Sequence, residues 1–295
     1  MSDPNPIFFL RGHAKSGTNW LGRLLNLHPR IRCEGEFNFH HVWDGMDRFV
    51  NADWHAAHRE PTRTVALDWL DRFVRSTIES ACGPEVTPGD WLGDRSPEPV
   101  RALLPNAPII WVLRDGRDVL VSWIHHQLNR AIKQNAGSLT HRMNEDREAF
   151  RADPNHFKAN PERLLSDEHS VRRIAKQWGE RFLRDSEILD AMDAGDPAER
   201  GCRGLRLRYE DILTDAEGAR IRMYEFLGLD PSEASPIESN PEATPGATNE
   251  DPASFNRKGE AGDWKNYFFD DSKRWFKEEA GEALIRAGYA QDLNW

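Results

Sequence analysis

The chain has 295 residues, 38% of them hydrophobic and 30% charged, with a formal net charge of -10. Such a chain can bury a large core as a soluble protein of one domain or two small ones, and its negative charge disfavours nucleic acid or an anionic membrane as partner, because both are bound through basic surface. Cys33, Cys82 and Cys202 are odd in number and far apart, which excludes a disulfide framework and a metal-ligand spacing and points to a reducing, cytoplasmic compartment.

The first element is a buried strand over Ile7–Leu10, followed by the turn His13-Ala14-Lys15-Ser16-Gly17. Trp20, Leu21, Leu24 and Leu25 then form a helical stripe, with Thr18 or Asn19 as N-cap. Ile31–Cys33 reads as a short strand. Thr64–Cys82 reads as an amphipathic helix with Leu70, Phe73, Val74 and Ile78 on one face. Ile109–Leu113 is a second buried strand, running through "RDG" into a helix. Residues 134–168 are polar and irregular and read as an insertion or lid. Ser170–Met192 is helical, "GLRLRYEDI" is a strand ending in a polar turn, and Ala216–Leu227 is a helix closed by Gly228. Residues 230–262, rich in Pro, Ser, Glu and Gly, read as a surface loop inside one domain over 1–295. Alternating strands and helices predict an α/β fold with a parallel sheet covered on both faces. Ligands of such sheets lie at the carboxyl ends of the strands, where both Gly-bearing turns fall. No apolar run approaches the ~20 residues of a membrane span, and no basic leader precedes the first strand.

Three short stretches carry chemistry. Ser16, Gly17 and Thr18 at a helix N-terminus offer backbone N–H groups and hydroxyls to an anion, and Lys15 adds a charge. The Lys precedes the Ser-Gly-Thr, the reverse of the Gly-Lys-[Ser/Thr] ending of a Walker loop. Such a turn also occurs for geometry alone. Arg114 follows the second strand, and Ser122 lies two helical turns on, a pair suited to a second phosphate; the same Arg could equally pair with Asp115 or Asp118. Arg257-Lys258-Gly259 could grip a phosphate from a loop, or be a solvated charge pair.

Taken together and in order, "KSGTNWL", "LRDGRDVLVSW" and "RKGEAGDWKNYF" resemble the sulfotransferases that use 3′-phosphoadenosine-5′-phosphosulfate (PAPS) and release 3′-phosphoadenosine-5′-phosphate (PAP). The resemblance implies a single α/β domain of P-loop-like fold. It implies that Lys15, Ser16, Gly17, Thr18 and Asn19 hold the 5′-phosphosulfate. Arg114, Ser122, Arg257, Lys258 and Gly259 would hold the 3′-phosphate, and Trp20, Tyr209 and Phe255 the adenine. The reversed loop then has a reason, since no magnesium-bound triphosphate has to be held, and no metal is expected.

The cytosolic small-molecule branch takes its base from a Lys-Thr-His segment, where this chain reads "WLGDRSPEP" without His. "HPRIRCEGEF" instead is similar to the Gly-Glu branch that includes tyrosylprotein and bacterial sulfotransferases, which implies Glu36 as base, with Glu34 as the near alternative. Arg95 stands where that branch has an assisting Lys. His40, His41, His125 and His126 remain further possible bases or acceptor-pocket residues. A pocket from residues 37–60 and 125–165, containing His40, His41, Trp43, Trp54 and His55, would suit a small alcohol, phenol or sugar. The competing readings are a P-loop kinase of a small molecule and a non-catalytic PAP-binding protein.

Overall fold

β1 (Ile7–Gly12) is buried along its whole length, and its side chains divide by parity. Ile7 and Phe9 join one apolar cluster, and Phe8 and Leu10 join another on the opposite face. β4 (Ile109–Leu113) repeats the pattern, with Ile109 and Trp111 on the first side and Ile110 and Val112 on the second. A strand that is apolar on both faces must sit inside a sheet covered by two layers. The computed structural model, which describes residues 5–96, 104, 106–134, 141–195, 202–244 and 259–295, has this architecture.

Five strands form one parallel sheet in the order β2-β3-β1-β4-β5, with β2 at Ile31–Gly35, β3 at Trp91–Asp94 and β5 at Gly204–Arg208. In register, Phe9 lies beside Ile109 and Gly12 beside Val112. The smaller cluster is closed by α1 (Thr18–Leu25), α9 (Tyr209–Thr214) and α10 (Ala216–Phe226). Leu21, Leu24 and Leu25 of α1 are fully buried there, each contributing ~1.5–3 kcal/mol by leaving water. The larger cluster is closed by α3 (Arg59–Cys82), α4 (Gly116–Gln134), α8 (Glu168–Asp193) and α11 (Asp270–Arg286). α8 begins where the Asp167 carboxylate accepts from Ser170 N, and α10 where Asp215 accepts from Gly218 N. Gly179 lets α8 approach α11: a Cβ there would lie 3.4 Å from that of Ala280.

Several elements depart from the sequence reading. Thr18 and Asn19 do not cap α1; Gly17, in a left-handed conformation, does, and both residues lie inside the helix. Between 134 and 168, where a polar lid was expected, α5 (His141–Ala152), α6 (His156–Ala159) and α7 (Pro161–Leu164) form. Their large apolar side chains, Met143, Phe150, Phe157 and Leu164, enter the large core, and buried Asp146 accepts from Arg163 at 2.6 Å. The turn expected after β5 is α9. Phe73 is 37% exposed, although Leu70, Val74 and Ile78 are buried. β3, α2 (His40–Val50) and α11 were not recognised from the sequence. Among the described residues no helix is long and apolar enough to cross a membrane.

β1 feeds α1 onto one face of the sheet, and β4 feeds α4 onto the other. The carboxyl ends of these adjacent strands therefore open into a crevice, the position at which open parallel sheets bind ligands.

Candidate active site

The crevice is built first from the turn between β1 and α1. Lys15 and Gly17 both have positive φ, 75° and 99°. Gly17 is forced: a Cβ there would fall 2.7 Å from the ring of Tyr209. Ser16 N donates to His13 O at 2.9 Å, tightening the turn, and Leu21 N donates to Gly17 O. His13 Nδ1 donates to the Ala14 carbonyl, and burial lowers its pKa to about 4, so it braces the loop as a neutral ring. The first turn of α1 contains no acidic residue and receives no side-chain cap. Its N–H groups and the positive end of its dipole are left for an anion.

Cations surround this turn. Lys15 is half-buried, and burial together with the Arg114 charge lowers its pKa to about 8, against an opposing pull from Glu36. Arg114 donates from Nη1 to Lys15 O at 3.0 Å and from Nη2 to Glu260 O at 3.1 Å, and lies over the Tyr209 ring at 4.3 Å. Arg95 donates from Nη1 to Asn19 Oδ1 at 2.6 Å and from Nη2 to Glu34 O at 2.9 Å. Gly22 makes room for it, since a Cβ would meet Arg95 Cδ at 2.9 Å. Both guanidinium groups are thus hydrogen-bonded to neutral oxygens, and each keeps a buried Nε without a partner among the described residues. Such a set of desolvated cations fits an anionic ligand.

Trp20 meets Tyr209 edge to face at 5.7 Å and donates from Nε1 to Ala243 O at 2.7 Å. This aromatic pair flanks the turn on the side of β5. Ser122 lies half-buried on α4, two turns beyond Arg114. Gly259 has a left-handed φ of 63° and opens the segment that Arg114 reaches at Glu260. Phe255, Arg257 and Lys258 lie outside the described residues.

The far side of the crevice comes from β2 and β3. Buried Asp94 accepts from Ser96 N at 2.8 Å and Ser96 Oγ at 2.6 Å, and Ser96 Oγ accepts from Asn38 N at 2.6 Å. These bonds tie the segment after β2 to the end of β3, which fixes Glu36 and Arg95 relative to each other. The Glu36 carboxylate is exposed and acts on Lys15. Glu34 points elsewhere, accepting from Asn26 Nδ2 at 2.9 Å.

The histidines separate. The His40 and His41 rings meet at the start of α2, tilted by 43° with centroids 3.9 Å apart. His125 is 4% exposed and enclosed by the rings of Phe150, Phe157 and Tyr267, so it belongs to the core. His126, next along α4, is half-buried, and burial and the Lys15 charge lower its pKa to about 4. Trp43 packs on the large core, and the side chains of Trp54 and His55 lie outside the described ones.

Sequence reasoning gave no role to Asp94 and Ser96, and it named Asp118 only as a partner for Arg114. Only Asp118 had a legible signal, its four-residue spacing to Ser122 on one helix face.

The family model for the sulfotransferase domain matches residues 5–288. Protein-tyrosine sulfotransferase A from Caenorhabditis elegans is 26% identical over 139 residues, covering 42% of this chain and 34% of that protein. The chain thus spans about a third of the length of the curated relative it matches. The fold is similar to that of mouse sulfotransferase SULT7A1 complexed with PAP, with TM-score 0.53, 17% identity and coverage of 99% of this chain and 89% of that one. Retinol dehydratase in a complex with retinol and PAP gives a TM-score of 0.50, 19% identity and coverage of 95% and 82%. The sulfotransferase domain from the curacin biosynthetic pathway gives 0.50, 15% identity and coverage of 98% and 99%. With the family model running over all five strands of the sheet and both of its helical layers, the chain belongs to the sulfotransferase domain family.

Proposed function

We propose that this protein transfers a sulfuryl group from PAPS to the hydroxyl or amine of a small-molecule acceptor, in line and without a metal, in the cytoplasm. The observation that carries the reading is the pair Arg95 and Arg114, which among the described residues donate to neutral oxygens, beside an uncapped helix N-terminus. That the named mouse sulfotransferase and retinol dehydratase structures are PAP complexes supports PAPS as donor.

When bound, PAPS supplies an activated sulfuryl group and a phosphate leaving group. In this reading Ser16, Gly17, Thr18 and Asn19 hold the 5′ end through the loop and the first turn of α1. Lys15 neutralises charge growing on the leaving oxygen, and Arg95, fixed by Asn19, faces the equatorial oxygens. Arg114, Ser122, Arg257, Lys258 and Gly259 take the 3′-phosphate. Trp20, Tyr209 and Phe255 take the adenine. Glu36 removes the acceptor proton; its exposed carboxylate near Lys15, against the tethered Glu34, supports it over its neighbour. The acceptor is an alcohol, phenol or sugar.

A second reading of the base has its own support. His126 is held neutral and lies close enough to Lys15 to feel its charge, so it could accept a hydrogen bond from an acceptor hydroxyl.

The test is thermal unfolding with PAP, adenosine 5′-monophosphate (AMP) or ATP, each with and without a chelator, followed by an acceptor screen with labelled PAPS. PAP should raise Tm most, by linkage of binding to folding, and the chelator should change nothing. A larger shift by ATP that the chelator abolishes would favour a kinase. PAP binding without sulfated product from any acceptor would favour a non-catalytic binder.

A further inference from the structure

Asp118 is 2% exposed and sits on α4, one turn after Arg114 and one turn before Ser122. A buried carboxylate beside two groups read as phosphate ligands is electrostatically the wrong sign for that place, unless its charge is used elsewhere. It is. Oδ2 accepts from Gly262 N at 2.7 Å, and Oδ1 accepts from Trp264 N at 2.9 Å. Gly262 has φ 83°, so the chain turns through a left-handed residue to present both N–H groups to one carboxylate. The same segment is held at two other points. Arg114 donates to Glu260 O, and the Arg117 guanidinium, itself paired with Asp115, lies 3.8 Å over the Trp264 ring. The start of α4 and the segment Gly259–Asn266 are therefore one assembly with Asp118 as its pin.

We propose that Asp118 is a positioning residue for the 3′-phosphate site: it touches no ligand and instead fixes Gly259–Trp264 against α4, so that Gly259 and Arg114 face the same phosphate. This rests on the reading of the site as a PAPS site. Arg114 donates to Glu260 O in the same segment that Asp118 holds through Gly262 and Trp264, so the two limbs of the proposed site are coupled through one stretch of backbone. The simpler role, capping the short 3-10 turn Asp263–Asn266, would support folding but would not discriminate between nucleotides.

Calorimetric titration with PAP and AMP, which differ only in the 3′-phosphate, separates the two roles. The unaltered protein should bind PAP more tightly than AMP. Asp118→Asn keeps the volume but replaces one acceptor oxygen by a donor amide, and should weaken PAP at least tenfold while AMP changes less than threefold. Equal weakening of both ligands, or unchanged PAP affinity, overturns the proposal. Hydrogen exchange over residues 259–266 of the unaltered protein gives a second measurement that does not depend on the variant folding. PAP should slow the Gly262 and Trp264 amides and AMP should not; the same protection by both overturns the proposal. If the unaltered protein does not distinguish PAP from AMP, the PAPS reading itself fails and takes the proposal with it. If it distinguishes them and Asp118→Asn does so equally well, only the role of Asp118 fails.

Discussion

Lys15 carries a measurable signature, because its folded pKa is lowered from 10.5 to about 8. Above that pH the amine is neutral and cannot offset charge on the leaving oxygen. kcat/KM, which reports the free protein, should therefore fall as pH rises through about 8. In Lys15→Arg the charge is permanent, so the alkaline limb should disappear below pH 10 although the rate drops; an unchanged limb would assign it to another group. The stability sign is the reverse. Between pH 8 and 10.5 the unfolded chain binds more protons at this residue, so its contribution to the stability of the unliganded protein rises with pH. The base is tested by Glu36→Gln, which should cut turnover by roughly 10²–10⁴-fold with PAP affinity near that of the parent. If Glu36→Gln stays active and His126→Asn is dead, His126 is the base, and kcat/KM should stay flat down to about pH 4, where that ring protonates. At this scale the charged residues were legible from their motifs. The direction of the Glu34 side chain was not, because it depends on Asn26, eight residues earlier, donating to its carboxylate.

In the turn between β1 and α1 the backbone geometry is the constrained feature. Gly17 combines φ 99° with an approach to Tyr209 that leaves no room for a methyl group. Gly17→Ala should lower PAP affinity on the order of 10- to 100-fold in titration, through left-handed strain and displacement of the ring. Gly45, inside α2, is the control, since a methyl group added there would meet nothing within 4 Å. Gly45→Ala should stabilise by about 0.5–1 kcal/mol and leave PAP binding alone. Strong periodicity made α1, α8 and α10 readable. The helices α5, α6 and α7 were not readable, because each places only one or two apolar side chains in the core and the rest faces water. Their form comes from tertiary contacts and from Asp146 holding Arg163.

Across the whole molecule, the sheet and the helical layer are joined by an ion pair. Arg11 of β1 donates from Nη2 to Asp185 Oδ1 of α8 at 2.5 Å, with both side chains buried. Removing Asp185 takes away the carboxylate that buried Arg11 shares with Arg184, whose Nε lies 3.8 Å from it. Asp185→Ala should cost about 3–5 kcal/mol in denaturant unfolding, and Arg11→Met with Asp185→Leu should recover most of that. A double variant as unstable as the single one would mean that the pair does more than neutralise itself.

The sequence by itself determined that β1 and β4 are buried on both faces, that the sheet is parallel, and that two Gly-bearing turns lie at its carboxyl edge. These are local matters: apolar runs without alternation, and Gly and Ser at a strand-to-helix junction. It also determined the family, through three motifs whose order survives in the chain. Only the tertiary structure decided which charged groups face the crevice. Arg95 is aimed by Asn19, 76 positions earlier, and Arg114 by the carbonyl of Lys15, 99 positions earlier. Asp118 is matched to N–H groups 144 and 146 positions later. A side chain's direction depends on the partner that satisfies it once water has been excluded, and a partner that distant in sequence is brought near only by the folded sheet.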